Sequence, residues 1–518
     1  MADTTEKTFP PLKGASLAIG TVALSLAAFL FVLDTTIANV SLTAISGDLG
    51  VSPTQGTWVI TFFSVANAIT VPLTGWLARR IGQVRLCISS ILLFVTASFL
   101  CGIAPNIVVL IACRIFQGAV CGPLASLSQT LLLQSYPKER AGSALAAWAI
   151  TILVAPIMGP IVGGWITDNF SWPWIFFINV PIGLLAATMI WSIYRTREST
   201  TFKDPIDKVG LALLILWVGA LQVMLDKGKE LDWFGSPFIV FLAVVALVGF
   251  AFFIAWELTE RHPVVDLMLF KRRNFATIVP IFAVAVGLYF GTALLLPLWL
   301  QTQLGYTATW AGLALAPAGI LAIVFSPVTG RIVARHDPRI LITCGMIVFS
   351  ACSFMRGRFN AQVDFAHIAL PTFIQGLGTA MFFVPLTTLM LSGIPQERIA
   401  SAAGLSNFAR NVASAFSASI TATLWDSGAA SHHARLSESI SVYNPATQQT
   451  MQSLAHSGMS PEQAHMSLER LINGQAYLLS TIDFFNMSGW LFLALPALIW
   501  FTKPPKRNAT VVAADAGH

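Results

Sequence analysis

The chain repeats one stretch, Pro137-Lys-Glu-Arg140-Ala-Gly-Ser143-Ala144, 258 residues later as Pro395-Gln-Glu-Arg398-Ile-Ala-Ser401-Ala402. Three more pairs follow the same order, with offsets of 258, 255 and 252 residues: Gln117-Gly118 with Gln375-Gly376, Pro72-Leu-Thr74-Gly75 with Pro327-Val-Thr329-Gly330, and Thr57-Trp58 with Thr309-Trp310. Chance does not explain four matches in one order at nearly constant offsets. The sequence therefore predicts two halves built as parallel structural repeats.

The composition places these halves in a membrane. Of 518 residues, 55% are hydrophobic and 10% are charged, and the mean hydropathy is +0.73. A soluble domain carries about 25% charged residues to hydrate its surface, so a soluble enzyme is excluded. A single-span receptor is also excluded, because the apolar residues are spread over the whole length.

A membrane-spanning helix needs about 20 mostly apolar residues. By this criterion the sequence predicts fourteen spans, at 17–39, 57–78, 86–104, 107–130, 142–165, 174–193, 209–225, 237–256, 275–299, 310–333, 340–355, 367–391, 401–424 and 484–501. The first apolar run, which follows Lys7 and Lys13, is predicted to be a retained helix rather than a cleaved signal peptide. The fold class is thus an all-α polytopic membrane protein with two six-helix halves, 17–193 and 275–501. A linker, 194–274, carries two extra central spans, and the tails are 1–16 and 502–518.

The distribution of basic residues gives the orientation. With a cytoplasmic N-terminus, cytoplasmic segments hold 22 of the 30 Lys and Arg, and periplasmic segments hold six, including Lys227 and Arg356. Basic residues concentrate in cytoplasmic loops of membrane proteins. Both termini are therefore predicted to be cytoplasmic. The net charge of +6 is attributed to this bias and not to nucleic-acid binding.

The loop between the second and third spans resembles that of the major facilitators: Gly75-Trp-Leu-Ala-Arg79-Arg80-Ile-Gly82-Gln-Val-Arg85. Arg79 stands where the family usually has Asp, so a salt bridge made by that Asp is not expected here. Gly75, Arg79, Arg80, Gly82 and Arg85 would form a cytoplasmic latch by this resemblance. The simpler interpretation of the arginines is retention of positive charge on the cytoplasmic side.

Further motifs narrow the resemblance to the EmrB-type exporters, fourteen-span drug:proton antiporters of the major facilitator superfamily. They are Leu33-Asp34-Thr-Thr-Ile37-Ala-Asn39-Val40, Gly56-Thr-Trp58-Val-Ile-Thr, Arg114-Ile-Phe-Gln117-Gly118, Ala155-Pro156-Ile-Met-Gly159-Pro160-Ile-Val-Gly163-Gly164, Trp174-Ile-Phe-Phe-Ile-Asn179-Val-Pro181, Glu230-Leu-Asp-Trp233-Phe and Gly305-Tyr-Thr-Ala-Thr-Trp310-Ala-Gly. The resemblance implies a proton-driven exporter of the bacterial inner membrane that works with a periplasmic adaptor protein and an outer-membrane channel. By the same resemblance the antiporter motif, which comprises Pro156, Gly159, Pro160, Gly163 and Gly164, would act as a hinge or as a seal against leakage. The simpler interpretation is a tight packing face.

Asp34 is the only acidic residue well inside a predicted span. An ionisable residue in the membrane is costly, by roughly 3 kcal/mol on insertion scales, and indicates function by default. Arg114 lies at a similar depth in the outer half of the membrane, because its helix runs in the opposite direction. We expect the two to pair as a proton carrier whose proton affinity depends on Arg114. A purely structural salt bridge is the alternative.

Arg410 lies near the predicted bilayer midplane with no carboxylate at its depth. We expect it to line a central substrate cavity with Gln117 and Asn67, where its charge would favour anionic amphiphiles. Snorkelling of Arg410 towards the cytoplasmic face is the alternative.

No cofactor or metal is expected. The chain has no Gly-x-x-x-x-Gly-Lys pattern for ATP, no histidine at metal-ligand spacing from a cysteine, and no catalytic set of His or carboxylates for a membrane enzyme. All six cysteines fall in apolar segments, which argues against disulfides.

The only sizeable soluble segment, 425–483, is predicted to be periplasmic. Within it, Ser460-Pro461-Glu462-Gln463 predicts a capped helix from Pro461 to about Ile472. This helix either folds onto the rim of the transporter or docks the adaptor. The resemblance to the EmrB-type exporters thus implies proton-driven export of hydrophobic, often weakly acidic drugs. A dedicated long-chain fatty acid exporter is the nearest alternative, and a proton-coupled uptake symporter is disfavoured by the antiporter motif.

Overall fold

A computed structural model describes residues 9–51, 53–137, 140–202, 207–260, 263–395, 398–438, 440 and 444–503. The regular structure in these residues is entirely helical. The N-terminal half contains α1 (Gly14–Val40), α2 (Leu42–Asp48), α3 (Pro53–Thr70), α4 (Thr74–Ile81), α5 (Gln83–Gly102), α6 (Ile107–Ser135), α7 (Ala141–Asn169), α8 (Trp174–Phe177) and α9 (Asn179–Tyr194).

The linker contributes α10 (Lys208–Lys227) and α11 (Pro237–Thr259). The C-terminal half contains α12 (Arg273–Gln303), α13 (Ala308–Leu315), α14 (Pro317–Arg335), α15 (Pro338–Arg356), α16 (Phe365–Leu391), α17 (Ile399–Glu438), α18 (Pro445–His456) and α19 (Pro461–Ile499). Short 3₁₀ turns span Trp233–Gly235 and Leu267–Lys271.

Each of the fourteen predicted spans coincides with a helix or with two adjoining helices. In the described part of the chain, eleven segments are long and apolar enough to cross a membrane, and α3 with α4 makes a twelfth as a pair bent by 63°. The other two predicted spans correspond to α7 and α17. The α3–α4 bend contains Pro72, and α14 begins at Pro317, because proline has no N–H for the helical ladder.

The two halves are built alike, as the repeat predicts. In the N-terminal half α3 packs against α6. In the C-terminal half the repeat-related helices, α14 for α3–α4 and α16 for α6, pack against each other in the same way. The halves meet where α17 packs on α4 and α6 and where α7 packs on α14. The extra spans α10 and α11 pair with each other, and α10 also contacts α3 and α17, so it touches both halves.

The segment between the last two spans differs from its prediction. Helix α17 continues past 424 to Glu438, and α19 is one continuous helix. The predicted end of a short helix near Ile472 was therefore wrong, and the predicted span 484–501 is the last part of α19. The predicted start is confirmed, because Ser460 and Gln463 form the capping box. The 39 residues of α19 measure about 58 Å, almost twice a hydrocarbon core of about 30 Å.

Helices α17 and α19 pack together as a helical hairpin, and each is longer than the hydrocarbon core is thick. Trp425 Nε1 donates to Thr481 Oγ1 at 2.8 Å, and Ser480 Oγ donates to the Trp425 carbonyl at 2.7 Å. We call this end of the molecule the hairpin end and the opposite end, which carries Gly75–Arg85, the basic end.

Candidate functional site

The N-terminal half encloses a polar network around Asp34, whose side chain on α1 is 0% exposed. Arg114 on α6 donates through Nη1 to Asp34 Oδ2 at 2.6 Å, and Gln117, one turn further, donates through Nε2 to Asp34 Oδ1 at 3.1 Å. Arg114 Nη1 also donates to Gln117 Oε1 at 2.7 Å. The network thus holds an ion pair within hydrogen-bonding distance and entirely inside protein.

Asn179 completes the shell of Asp34. Its Nδ2 donates to Asp34 Oδ1 at 2.8 Å and to Ser98 Oγ at 3.0 Å, and Ser98 Oγ donates to the Phe176 carbonyl at 2.9 Å. Asp34 therefore accepts hydrogen bonds from three side chains on two other helices, α6 and α9. Such donors stabilise the ionised form of a carboxylate, whereas burial opposes it.

The guanidinium of Arg114 is held on its other sides by an aromatic face and the backbone. Its Cζ lies 4.0 Å from the centroid of the Phe63 ring, and its Nε donates to the Val59 carbonyl at 3.3 Å. A cation over an aromatic face is stabilised more strongly when both are desolvated. Arg114 is thus fixed by α3 as well as by Asp34.

The glycines of the antiporter motif pack directly against α1 beside Asp34. A Cβ added at Gly163 would lie 2.6 Å from Ile37 Cγ1 and 3.1 Å from the Ile37 carbonyl, and one added at Gly159 would collide with Thr36. Only glycine permits this approach of α7 to α1. Gly164 is half-buried, and the side chains of Pro156 and Pro160 lie outside the described residues.

The loop motif at the basic end is ordered by Glu198. Its carboxylate accepts from the backbone N–H groups of Val84 and Arg85 at 3.0 and 2.8 Å, which caps the start of α5. Gly82 has φ 100°, a conformation that favours glycine, and a Cβ there would lie 2.5 Å from Glu198. Arg85 is largely exposed, 3.9 Å from the same carboxylate.

The same motif contacts the other half. Arg79 Nη1 donates to Ser401 Oγ on α17 at 3.3 Å, and a Cβ at Gly75 would lie 2.8 Å from the Ser401 Cα. The Arg80 guanidinium lies 5.5 Å from the Trp76 ring centroid. At the basic end of this structure, α4 of one half is therefore in direct contact with α17 of the other.

The three predicted cavity residues lie in two settings: Gln117 belongs to the Asp34 network, whereas Asn67 and Arg410 lie where the halves meet. Asn67 donates to Cys121 Sγ at 3.3 Å and accepts from Asn411 Nδ2 on α17 at 3.1 Å, so it lies where the halves meet. Arg410 is 8% exposed and lies 5.9 Å from the ring centroid of Trp148 on α7, with no ion pair to any described residue. Gln117 belongs to the Asp34 network and is 0% exposed.

The structure adds three residues that the sequence reasoning did not select. Asn179 was recognised as part of a motif but not as a ligand of Asp34. Lys227 and Arg356, which the charge count assigned to loops, are 3% and 2% exposed. Lys227 Nζ donates to Thr57 on α3 at 2.8 Å and to Glu230 at 2.9 Å. The match of Gln375 to Gln117 in the repeat could have indicated a second buried polar cluster in the C-terminal half, around Arg356.

The described residues contain no group of three or more His, Cys, Asp or Glu side chains that could hold a metal ion. The six cysteines are free thiols. The polar clusters contain a buried carboxylate paired with a guanidinium, Asp34 with Arg114, and two further buried arginines, Arg356 and Arg410.

Comparison with known proteins finds a matching family profile and relatives that align over nearly the whole chain. The profile of the Major Facilitator Superfamily matches residues 24–418. "Multidrug export protein EmrB" of Escherichia coli K12 is 50% identical over 496 residues, covering 96% of this chain and 97% of the relative. "Fatty acid resistance protein FarB" of Neisseria gonorrhoeae is 48% identical over 499 residues, covering 96% and 98%.

A solved structure agrees in fold. The human organic anion transporter MFSD10 (TETRAN) aligns with a TM-score of 0.60 and 11% identity, covering 94% of this chain and all of that chain. From the repeat, the span pattern, the motifs and these relatives together, the chain belongs to the Major Facilitator Superfamily, within the family of the EmrB-type multidrug export proteins.

Proposed function

We propose that the protein exports hydrophobic, often weakly acidic compounds outward across the bacterial inner membrane in exchange for protons. The observation that carries the proposal is the fully buried Asp34 carboxylate, which is held by Arg114, Gln117 and Asn179. A carboxylate whose charge depends on one guanidinium and two amides changes its proton affinity when those partners move. Movement of α6 or α9 relative to α1 would therefore couple conformation to proton binding.

The glycine contacts support this role. Since Gly159 and Gly163 pack on Thr36 and Ile37, rocking of α7 during alternating access would be transmitted to the turn of α1 that follows Asp34. The same close contact would exclude water between α1 and α7.

The substrate class rests on the relatives. The similarity to EmrB and the similarity to FarB are nearly equal, at 50% and 48% identity. Hydrophobic drugs and fatty acids share an apolar body, and the weak acids among them add an anionic group. Arg410 at the meeting of the halves would favour that anion, with Asn67 and Asn411 beside it.

The protein would act with a periplasmic adaptor protein and an outer-membrane channel. The hairpin formed by α17 and α19 supports this part of the proposal, because each helix is longer than the hydrocarbon core is thick and α19 exposes Met466 and Leu471, each to 56%. The excess of Lys and Arg at the basic end supports a cytoplasmic location for that end and for both termini.

Inverted membrane vesicles test the proposal. When respiration acidifies the vesicle interior, a fluorescent hydrophobic drug should accumulate inside vesicles that contain the protein, and nigericin, which collapses the pH gradient, should release it. Accumulation that survives nigericin, or that requires ATP with no pH gradient, would contradict proton-driven export.

A further inference from the structure

The C-terminal half contains a second buried arginine, Arg356, in the last turn of α15. Its side chain is 2% exposed, and its Nη2 donates to Gln375 Oε1 and to Thr372 Oγ1, the latter at 3.1 Å. Its Cζ lies 5.8 Å from the centroid of the Phe485 ring on α19. Three helices thus converge on one guanidinium at the hairpin end of this half.

This cluster is the repeat-related counterpart of the Asp34 network. Gln375 matches Gln117 in the repeat, and each lies ten residues after the first residue of its helix, α16 from Phe365 and α6 from Ile107. In both halves the glutamine carbonyl accepts a hydrogen bond from a buried arginine. The arginine comes from different helices, α6 in one half and α15 in the other.

The two clusters differ in charge. Arg114 is neutralised by Asp34, whereas no acidic side chain in the described part of the chain pairs with Arg356. The Arg356 Nε is also buried without a hydrogen-bond acceptor. Its position at the C-terminus of α15 offsets part of the cost of the charge through the helix dipole, but it does not supply an acceptor for Nε.

The surroundings of Arg356 are aromatic. The Trp299 and Phe359 rings stack with centroids 6.0 Å apart, and Phe359 lies 6.5 Å from Phe485 edge to face. These rings belong to one buried apolar cluster at the hairpin end. A cation with an unused donor beside an apolar wall matches a ligand with one carboxylate and an apolar body.

We propose that Arg356, Gln375 and Thr372 form a binding site for the carboxylate of an amphiphilic substrate, whose apolar body packs against Trp299, Phe359 and Phe485. The carboxylate takes the place in this half that Asp34 occupies in the other, and it accepts from Nε. Since Arg356 is closed off in this structure, Phe359 and Phe485 move aside when the ligand enters. The inference rests on the proposed function for its substrate class and places this site on the release side of the transporter.

A matched pair of ligands tests the site: decanoate and 1-decanol, which share a ten-carbon chain and differ in the carboxylate. With full-length protein in lipid nanodiscs at pH 8, decanoate should raise the melting temperature of the wild type more than decanol does. Arg356→Gln should weaken decanoate binding about tenfold or more, the effect of losing a charge-assisted hydrogen bond, and leave the response to decanol unchanged. Arg356→Lys, which keeps the charge, should retain part of the preference.

Arg358→Gln is the matched control, since Arg358 lies two residues away and is exposed. It should behave as the wild type does. Equal protection by decanoate in the wild type and Arg356→Gln, or equal loss for decanoate and decanol, would overturn the site. A melting temperature of ligand-free Arg356→Gln well below that of Arg358→Gln would show that Arg356 is structural. Removal of a buried charge that no carboxylate neutralises regains its desolvation cost, which should offset the lost hydrogen bonds to Gln375 and Thr372.

The vesicle assay separates this inference from the proposed function. The wild type and Arg358→Gln should both accumulate a neutral drug in a nigericin-sensitive manner. If they do so and Arg356→Gln leaves decanoate binding unchanged, only the carboxylate site is wrong. If the wild type itself shows no nigericin-sensitive accumulation, the proposed function is wrong, while the nanodisc measurement still decides whether Arg356 binds carboxylates.

Discussion

Replacement of Asp34 by asparagine separates proton coupling from folding and binding. Asp34→Asn removes the carboxylate that pairs with Arg114, and the Arg114 side chain is 1% exposed. Breaking a buried ion pair by removing one partner costs about 3–5 kcal/mol, because the other charge stays buried. The new amide NH₂ would also face other donors, either that of Arg114 or those of both Gln117 and Asn179. We therefore expect the free energy of unfolding to fall by about 3 kcal/mol.

The double variant Asp34→Asn/Arg114→Gln removes both charges and is the control for this loss of stability. The double variant leaves no unpaired charge buried, unlike the single variant, so it should melt closer to the wild type than the single variant does. Neither variant has a side chain at position 34 that can exchange a proton. Both should therefore lack transport driven by a pH gradient.

The assay combines two measurements on the same preparations. Drug transport into proteoliposomes under an imposed pH gradient reports coupling, and binding of a neutral drug in nanodiscs reports an intact substrate site. We expect transport to fall to the level of empty liposomes while binding persists in the double variant. Undiminished gradient-driven transport in either variant would refute the assignment of Asp34 as the proton carrier.

Three other perturbations follow from the same contacts. Arg410→Gln should raise the KM for anionic substrates several-fold and hardly change that for neutral ones in proteoliposome transport; equal effects on both would make Arg410 structural. Gly163→Val should reduce transport strongly by displacing α1 at Ile37, whereas Gly312→Ala, whose added Cβ meets only an ordinary contact at 3.8 Å, should transport normally; similar activity of the two would remove the packing argument. Replacing 434–473 by a Gly/Ser linker, which keeps the Trp425–Thr481 contact, should spare proteoliposome transport but abolish drug resistance in cells; full resistance would place adaptor docking elsewhere.

The sequence predicted the fold well because membrane spans are set by local composition. Fourteen apolar stretches predicted segments that the structure shows as helices, eleven or twelve of them long and apolar enough to cross a membrane. The repeat at nearly constant offset predicted two halves of similar build. The pairing of Asp34 with Arg114 was also accessible, since helix direction and rise per residue give the depth of each residue. Asn179 was within reach as part of a quoted motif, but its donation to Asp34 depends on how α9 packs on α1.

The errors arose where composition is a poor guide. The hairpin was predicted in pieces because its residues between the predicted spans are polar, yet helices continue wherever capping and packing support them: Ser460 caps α19, and Trp425 bonds to Thr481 between the two helices. Arg356 and Lys227 were assigned to loops because a charge count treats a basic residue near a span end as exposed. Tertiary partners on other helices, Gln375 for one and Thr57 for the other, bury them instead.

The central claim is that substrate and protons move in opposite directions through one protein. Purified wild type in sealed proteoliposomes, with equal pH on both sides and a pH-sensitive dye trapped inside, tests it most directly when an inward drug gradient is imposed. The account predicts that drug entry drives protons out, so the interior becomes alkaline, and that Asp34→Asn/Arg114→Gln liposomes show no pH change. Acidification of the interior as the drug enters, or drug entry with no proton movement, would contradict it.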